Sequence, residues 1–357
     1  MLEQSFIDVI KVFTPAAIAF FVGIFTTPIL SYYLYKNEMW KKKAGKRGLG
    51  DGGKDTPIFN ELHKGKEVGT PKMGGVIIWL SAFLTIFILW LIANIFPTLI
   101  TEKLSFLSRS QTWLPLFTLL VGALIGLVDD YFEVTGKSDY FSGGLSLKKR
   151  LGVVFLVSIV GAWWFYEKLE VASVIVPFVG NFDIGLLFIP FFIFVMLAVY
   201  SSGVIDGIDG LAGGVFAVIF SAYGVIAFAQ AQIDLAAFCF VIVGGLLAFL
   251  WFNIPPARFY MSETGSMALT MTLGVVAFLT EQVILLPLIA FPLLITTCSN
   301  IIQVASKKIR GKKVFLVAPV HHHFEAIGWP GYKVTMRYWV ISIITAMIGI
   351  IIALLGS

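Results

Sequence analysis

Residues 74–96 read GGVIIWLSAFLTIFILWLIANIF. After the two glycines, no ionisable side chain occurs until beyond Phe96. As a helix rising about 1.5 Å per residue, such a run is roughly 30 Å long, the thickness of a bilayer's hydrocarbon core. Nine more apolar runs follow the same logic: 12–35, 113–129, 151–166, 184–201, 210–230, 233–252, 267–280, 284–305 and 336–356. The eighth in chain order, 267–280, is short, and the sixth and seventh part only at Gln230–Asp234. Over all 357 residues, 58% are apolar and 13% charged, with a mean hydropathy of +0.90. Soluble domains carry roughly twice that share of charge. The expected fold is therefore an all-α integral membrane protein, one domain over 1–357, with about ten transmembrane helices.

The basic residues give the orientation. With ten spans, 22 of the 26 Lys/Arg fall on one side, whereas only Lys11, Lys103, Arg109 and Lys168 fall on the other. The positive-inside rule makes the rich side cytoplasmic and puts both termini on the periplasmic or extracellular side. The net charge of +5 is thus a topology signal with some attraction to anionic headgroups. It is not a nucleic-acid footprint. No cleavable leader is expected, because the first apolar run is too long and lacks a small-residue cleavage site. Cys239 and Cys298 fall within spans, which argues against a disulfide framework or a zinc site. The stretch 41–56, KKKAGKRGLGDGGKDT, has the Lys/Gly composition of a mobile segment. At 171–184, β-branched residues around Pro177 and a Gly180-Asn181 turn predict a small external β-hairpin.

Chemistry-bearing residues gather at the ends of spans on the basic side. Asp129 and Asp130 close the third span in GLVDDYFEV, Asp206 and Asp209 lie in GVIDGIDGLAGG, and Glu263 lies in FNIPPARFYMSETGS. Single interfacial acids can simply cap helix ends in water, but five at three junctions of one face mark a site. Asp206 and Asp209, three apart, would share a helix face and could serve one cation. Asp129 and Asp130 would diverge, suiting two different jobs. Carboxylates without Cys favour a hard ion, and Mg²⁺ typically takes one or two carboxylates with substrate phosphates and water. Lys66, Lys72, Lys148, Lys149 and Arg150 could hold a polyphosphate. Together these point to phosphoryl transfer involving a lipid phosphate.

Three of the four histidines are consecutive, His321, His322 and His323, in APVHHHFEAIGW at 318–329. Neighbours on a helix diverge by about 100°, so at least one should meet a polar cavity, a phosphate or a metal. A solvated cluster in a polar loop is the plain alternative.

These motifs resemble a known family, the polyprenyl-phosphate N-acetylhexosamine-1-phosphate transferases. The resemblance rests on HKGKEVGTPKMGG (63–75), GLVDDYFEVTGK with GLSLKKR (126–150), DGIDGLAGG (206–214), FNIPPARFYMSETGS (252–266) and NIIQVASKKIRGKKVFLVAPVHHHFEAIGWP (300–330). Each is modest alone, and five in order are specific. The HHHFE stretch and the following GW favour the muramoyl branch. The resemblance implies a bacterial plasma-membrane enzyme with a cytoplasmic active site, commonly a homodimer, using Mg²⁺ or Mn²⁺. It would move phospho-MurNAc-pentapeptide from UDP-MurNAc-pentapeptide to undecaprenyl (polyprenyl) phosphate, giving lipid I and UMP for peptidoglycan synthesis.

Carried over by motif, Asp129, Asp130, Asp206, Glu263 and His321 to His323 are the catalytic candidates, with Glu263 and Asp206 toward the metal. Lys66, Lys72, Lys149, Arg150, Asp209, Asn253, Tyr260, Gln303 and Ala318 are the substrate-binding candidates. Four positions depart from the family's pattern: Glu263 replaces an Asp, Gly203 an Asn, Lys72 a neutral residue and Arg150 a Lys. The sibling reading is the same chemistry on a UDP-N-acetylglucosamine donor. A secondary transporter is the reading from another class, and it would require repeat symmetry and acids near the bilayer midplane.

Overall fold

The computed structural model describes residues 2–42, 68–136 and 144–356. Lys66 and most of the 41–56 stretch lie outside the described residues. The helices are α1 (Leu2–Lys36), α2 (Val76–Ile95), the short α3 (Leu99–Leu104), α4 (Trp113–Thr135), α5 (Leu147–Trp163), α6 (Phe188–Ser201), α7 (Leu211–Ala229), α8 (Ile233–Asn253), α9 (Ser262–Leu279), α10 (Leu286–Ile289), α11 (Phe291–Arg310), α12 (Val320–Ala326) and α13 (Gly331–Leu355). Among the described residues, nine helical spans are long and apolar enough to cross a membrane, or ten if a bent pair counts as one. This is a multi-pass membrane protein; nine of the ten expected runs correspond to such spans and the tenth to the bent pair.

The bent pair is the expected run 284–305. It breaks between Val283–Ile289 and Phe291–Arg310 with an 81° bend. Pro287 and Pro292 stand in the first turns of α10 and α11. Each lacks an N–H and starts a helix more readily than it continues one.

Helices α7, α8 and α9 form the buried interior, and α1 and α13 lie outermost. Helix α1 packs along α8, α4 along α9, and α13 along α7. The α4–α9 approach is close because Gly126 has no side chain. A Cβ there would collide with the Glu263 carbonyl. This contact lies one turn before the Asp129–Asp130 pair and sets the site's first distance.

The predicted hairpin is present: β1 (Ser173–Val176) pairs antiparallel with β2 (Gly180–Asp183), with Val176 opposite Gly180. Its turn lies at Pro177–Val179, so Gly180 opens the second strand instead of forming the turn. Phe178 N–H donates to the Gly356 carbonyl at 3.3 Å, tying the hairpin to the end of α13. The start of α13 is held at the opposite face, where Thr335 Oγ1 donates to the Asp209 carbonyl at 3.1 Å. Hairpin and acids therefore occupy opposite faces.

Two expectations about helix ends are corrected. Helix α4 does not stop at Asp129 but runs on to Thr135, where Gly136 (φ 64°) ends it in a left-handed cap. No residue of Tyr131–Thr135 breaks a helix, so charge alone did not end it. Asp206 and Asp209 do not share a helix face. A 3-10 turn over Ser202–Ile205 ends at Asp206, and α7 begins only at Leu211, after Gly210 (φ 75°). Gly207 and Gly210 make this a loop.

Candidate active site

The site is built around the first turn of α9. A helix start leaves N–H groups without intrahelical partners and favours negative charge. Here two carboxylates from other spans supply it. Ser262 N–H donates to Asp206 Oδ2 at 2.8 Å. Glu263 and Thr264 N–H donate to Asp130 Oδ1 and Oδ2 at 3.3 and 2.9 Å, and Thr264 Oγ1 donates to Oδ2 at 2.6 Å. Asp130 is fully buried, and these donors offset the cost of placing a polar carboxyl there. Ser262 itself has a left-handed backbone, φ 59°, which costs about 1–3 kcal/mol for a non-glycine residue. Asp206 holds the amide that this conformation presents.

Asp129 and Glu263 face a different partner. Arg150 Nη1 pairs with Glu263 Oε1 and lies 3.8 Å from Asp129 Oδ2, and Leu145 N–H donates to Asp129 Oδ1 at 2.5 Å. A single guanidinium thus joins the two carboxylates that α4 and α9 bring together. Because α4 continues past the aspartates, Glu133 stands on the next turn, and Asp129, Asp130 and Glu133 each offer an oxygen within 4.8 Å of the others. This buried acidic group could hold a metal ion. Lys72 Nζ pairs with Glu133 Oε2 at 2.5 Å.

The loop 206–210 connects this cluster to the histidines. Asp209 Oδ2 accepts from Ala257 N–H at 3.0 Å. Asn253 Oδ1 accepts from Gly210 N–H and its Nδ2 donates to the Phe259 carbonyl, both at 2.8 Å. Trp339 Nε1 donates to the Gly210 carbonyl at 3.1 Å. At Gly207 a Cβ would stand 2.7 Å from both His321 Nε2 and His322 Nε2, so only glycine lets the loop approach the imidazoles. The histidines are on helix α12, not in the solvated polar loop of the plain alternative. Pro319 starts the helix, and Val320 N–H is held by Ser299 Oγ at 2.9 Å. His321 and His322 are buried with ring centroids 4.3 Å apart. His322 Nδ1 meets Glu325 Oε2 at 2.7 Å, which turns Nε2 toward Gly207. His323 points elsewhere, its Nδ1 accepting from Leu316 N–H at 3.3 Å.

The structure thus gathers Asp129, Asp130, Glu263, Arg150 and Lys72 in one cluster, with Asp206, Asp209, Asn253, His321 and His322 joined to it through one loop. Tyr260 joins by its backbone, donating to the Pro71 carbonyl at 2.9 Å and accepting from Gly74 N–H at 2.8 Å. Lys148 and Lys149 are exposed. Gln303 is spent on the chain after α11: Oε1 accepts from Val314 and Phe315 N–H, each at 3.0 Å, and Nε2 donates to the Phe315 carbonyl at 2.9 Å. Ala318 is half-buried, just ahead of α12. Sequence reasoning missed Glu133 and Thr264. Glu133 carries a legible signal, i+4 from Asp129 and i+3 from Asp130, once the helix is allowed to continue.

The pattern described as Glycosyl transferase family 4 matches residues 112–281, the segment holding all five acids but not the histidines. A phospho-N-acetylmuramoyl-pentapeptide-transferase of Listeria innocua is 36% identical over 342 residues, covering 95% of this chain and 97% of that protein. The protein of the same name from Anoxybacillus flavithermus is 36% identical over 290 residues, 80% of this chain and 85% of its own. That of Pelagibacter ubique is 36% identical over 309 residues, 81% of each.

Proposed function

The chain belongs to the phospho-N-acetylmuramoyl-pentapeptide-transferases, within glycosyl transferase family 4, and on that premise we propose that the carboxylates around the start of α9 are its active site. The enzyme is a membrane transferase that moves phospho-MurNAc-pentapeptide from its UDP-linked donor to polyprenyl phosphate, giving lipid I and UMP. One observation carries the site assignment: Asp130 and Asp206 spend hydrogen bonds on the α9 amides, while Asp129 and Glu263 meet only across the Arg150 guanidinium.

Division of labour follows from that difference. Asp129 takes the proton from the acceptor's phosphate monoester, whose second pKa is near 6, and so strengthens the nucleophile. Asp130 and Asp206 fix the α9 start and thereby the position of Glu263. The oxygen-only donor set suits a hard cation, and Mg²⁺, with Mn²⁺ as substitute, supplies charge neutralisation for the donor's pyrophosphate when bound. Glu263 and Glu133 would hold it, which leaves Asp129 for the proton. Asp206 contributes by bracing the residue next to Glu263. Arg150 and Lys72 balance the carboxylates before substrate arrives. His321 and His322 reach the donor's phosphates or sugar beside Gly207 as hydrogen-bond donors.

The acids and most basic residues share one face, which supports a cytoplasmic active site in a bacterial plasma membrane. The homodimer rests on the family resemblance alone. UMP release by the purified protein, supplied with polyprenyl phosphate and Mg²⁺, tests the function. UDP-MurNAc-pentapeptide should support it and UDP-N-acetylglucosamine should not. The reverse preference would move the chain to the sibling chemistry.

A further inference from the structure

Where the end of α1 meets the loop after α8, a cavity of about 430 Å³ is lined by Pro28, Ser31, Tyr32, Tyr35, Lys36 and Arg258. It shares no lining residue with the acid cluster. Its two cations lie at its rim: Lys36 Nζ stands 5.6 Å over the Tyr32 ring and the Arg258 guanidinium 6.0 Å over the Phe252 ring. Among the described residues neither pairs with a carboxylate. Pro28 lies eight residues before Lys36, about 12 Å along the helix axis, so the cavity descends from the charged edge into the span. Ser31 lies on the way down. It is only 1% exposed, and its hydroxyl has no hydrogen-bond partner within the protein. A buried serine in a helix normally bonds a carbonyl of the preceding turn, so an orphaned hydroxyl lining a cavity marks a place for a polar atom from outside.

From these features we infer that this cavity binds the headgroup of an anionic membrane phospholipid that is not a substrate of the reaction. Two cations at headgroup depth match a lipid phosphate. The orphaned hydroxyl offers a hydrogen bond to a glycerol or ester oxygen below it. The mainly apolar lower wall fits acyl chain, for which a soluble phosphate has no use. Tyrosines at this depth are the usual interfacial residues. The Arg258 carbonyl accepts from Tyr35 Oη at 2.9 Å, and its neighbour Ala257 donates to Asp209. The bound lipid therefore touches the loop that fixes one of the site's aspartates.

Native mass spectrometry of the full-length protein in detergent, with phosphatidylglycerol as probe, tests this. One tightly held phosphatidylglycerol is expected. Retention should fall roughly tenfold or more in Lys36→Ala/Arg258→Ala, given the contribution of each cation near a headgroup, and also in Ser31→Leu, which fills the cavity without changing charge. UMP release in phosphatidylcholine should be unchanged in Ser31→Leu, which shows that the protein is folded. Equal retention by Ser31→Leu and the wild type would overturn the inference. So would displacement by soluble glycerol phosphate, which would mean a free-phosphate site, or by polyprenyl phosphate at equal concentration, which would mean a second site for the acceptor.

Discussion

Thr264 gives both its amide N–H (2.9 Å) and its hydroxyl (2.6 Å) to one oxygen, Oδ2 of Asp130. Two donors from one residue on one buried carboxylate oxygen fix the register of α9 against α4. Removing the hydroxyl takes one donor from a buried oxygen, which costs about 1–3 kcal/mol. Thr264→Val should therefore lower stability by about that amount while leaving the acidic cluster in place. Thermal unfolding in detergent reads it. A variant as stable as the wild type would show that the amides alone hold Asp130.

Asp129 differs from Asp130 in its partners: it accepts from Leu145 N–H and lies 3.8 Å from Arg150 Nη1, whereas Asp130 accepts from the α9 amides. Asp129→Asn should cut turnover at saturating lipid by roughly 10²–10⁴, the usual worth of general-base assistance. Its unfolding temperature should change little, because Leu145 N–H can still donate to the Asn carbonyl. Near-normal turnover at neutral pH would remove the base role.

Glu263 and Arg150 form the pair most exposed to a change of ion. Activity should require Mg²⁺ or Mn²⁺ and be lost in excess EDTA. Glu263→Ala should abolish turnover, whereas Glu263→Asp, which keeps a carboxylate, should retain a measurable part. Arg150→Ala should leave Asp129 and Glu263 facing each other unbalanced, weakening the fold but increasing the affinity for the divalent ion. Isothermal titration with Mn²⁺ separates these outcomes. Tighter ion binding by Arg150→Ala supports the cation site, and unchanged binding sinks it.

The apolar helices and the gathering of acids at their ends were legible in the sequence because both are dictated by simple demands. A bilayer requires uninterrupted apolar runs about twenty residues long, and ionisable groups at their ends need partners. What was not legible is geometry set by glycine and by tertiary pairing. The spacing of Asp206 and Asp209 reads as a shared helix face, but Gly207 and Gly210 turn them to separate partners, Ser262 and Ala257. Glu133 was passed over because the span was ended at the first charge, although nothing before Gly136 stops the helix. Gln303 matches a substrate-contact motif yet spends its amide on the backbone at 314–315, a partnership that motif spacing does not encode.

The histidine run gives the last prediction. His321 and His322 both bring Nε2 against Gly207, whereas His323 is turned back onto Leu316. Replacing each by Ala should therefore cost activity unequally, with His321 or His322 losing tenfold or more and His323 least. Glu325 orients His322 through Nδ1, a carboxylate partner that fixes which ring nitrogen faces the substrate. Glu325→Gln should reproduce part of the His322→Ala loss in turnover without changing acceptor-lipid dependence, if the pair acts on the donor side as proposed. Gly207→Ala should be as damaging as either histidine variant, since its methyl would stand 2.7 Å from both imidazoles. Direct binding of the UDP-linked donor, measured alongside UMP release, tests the assignment: similar small losses at all three histidines with unchanged donor affinity would make α12 only a structural helix.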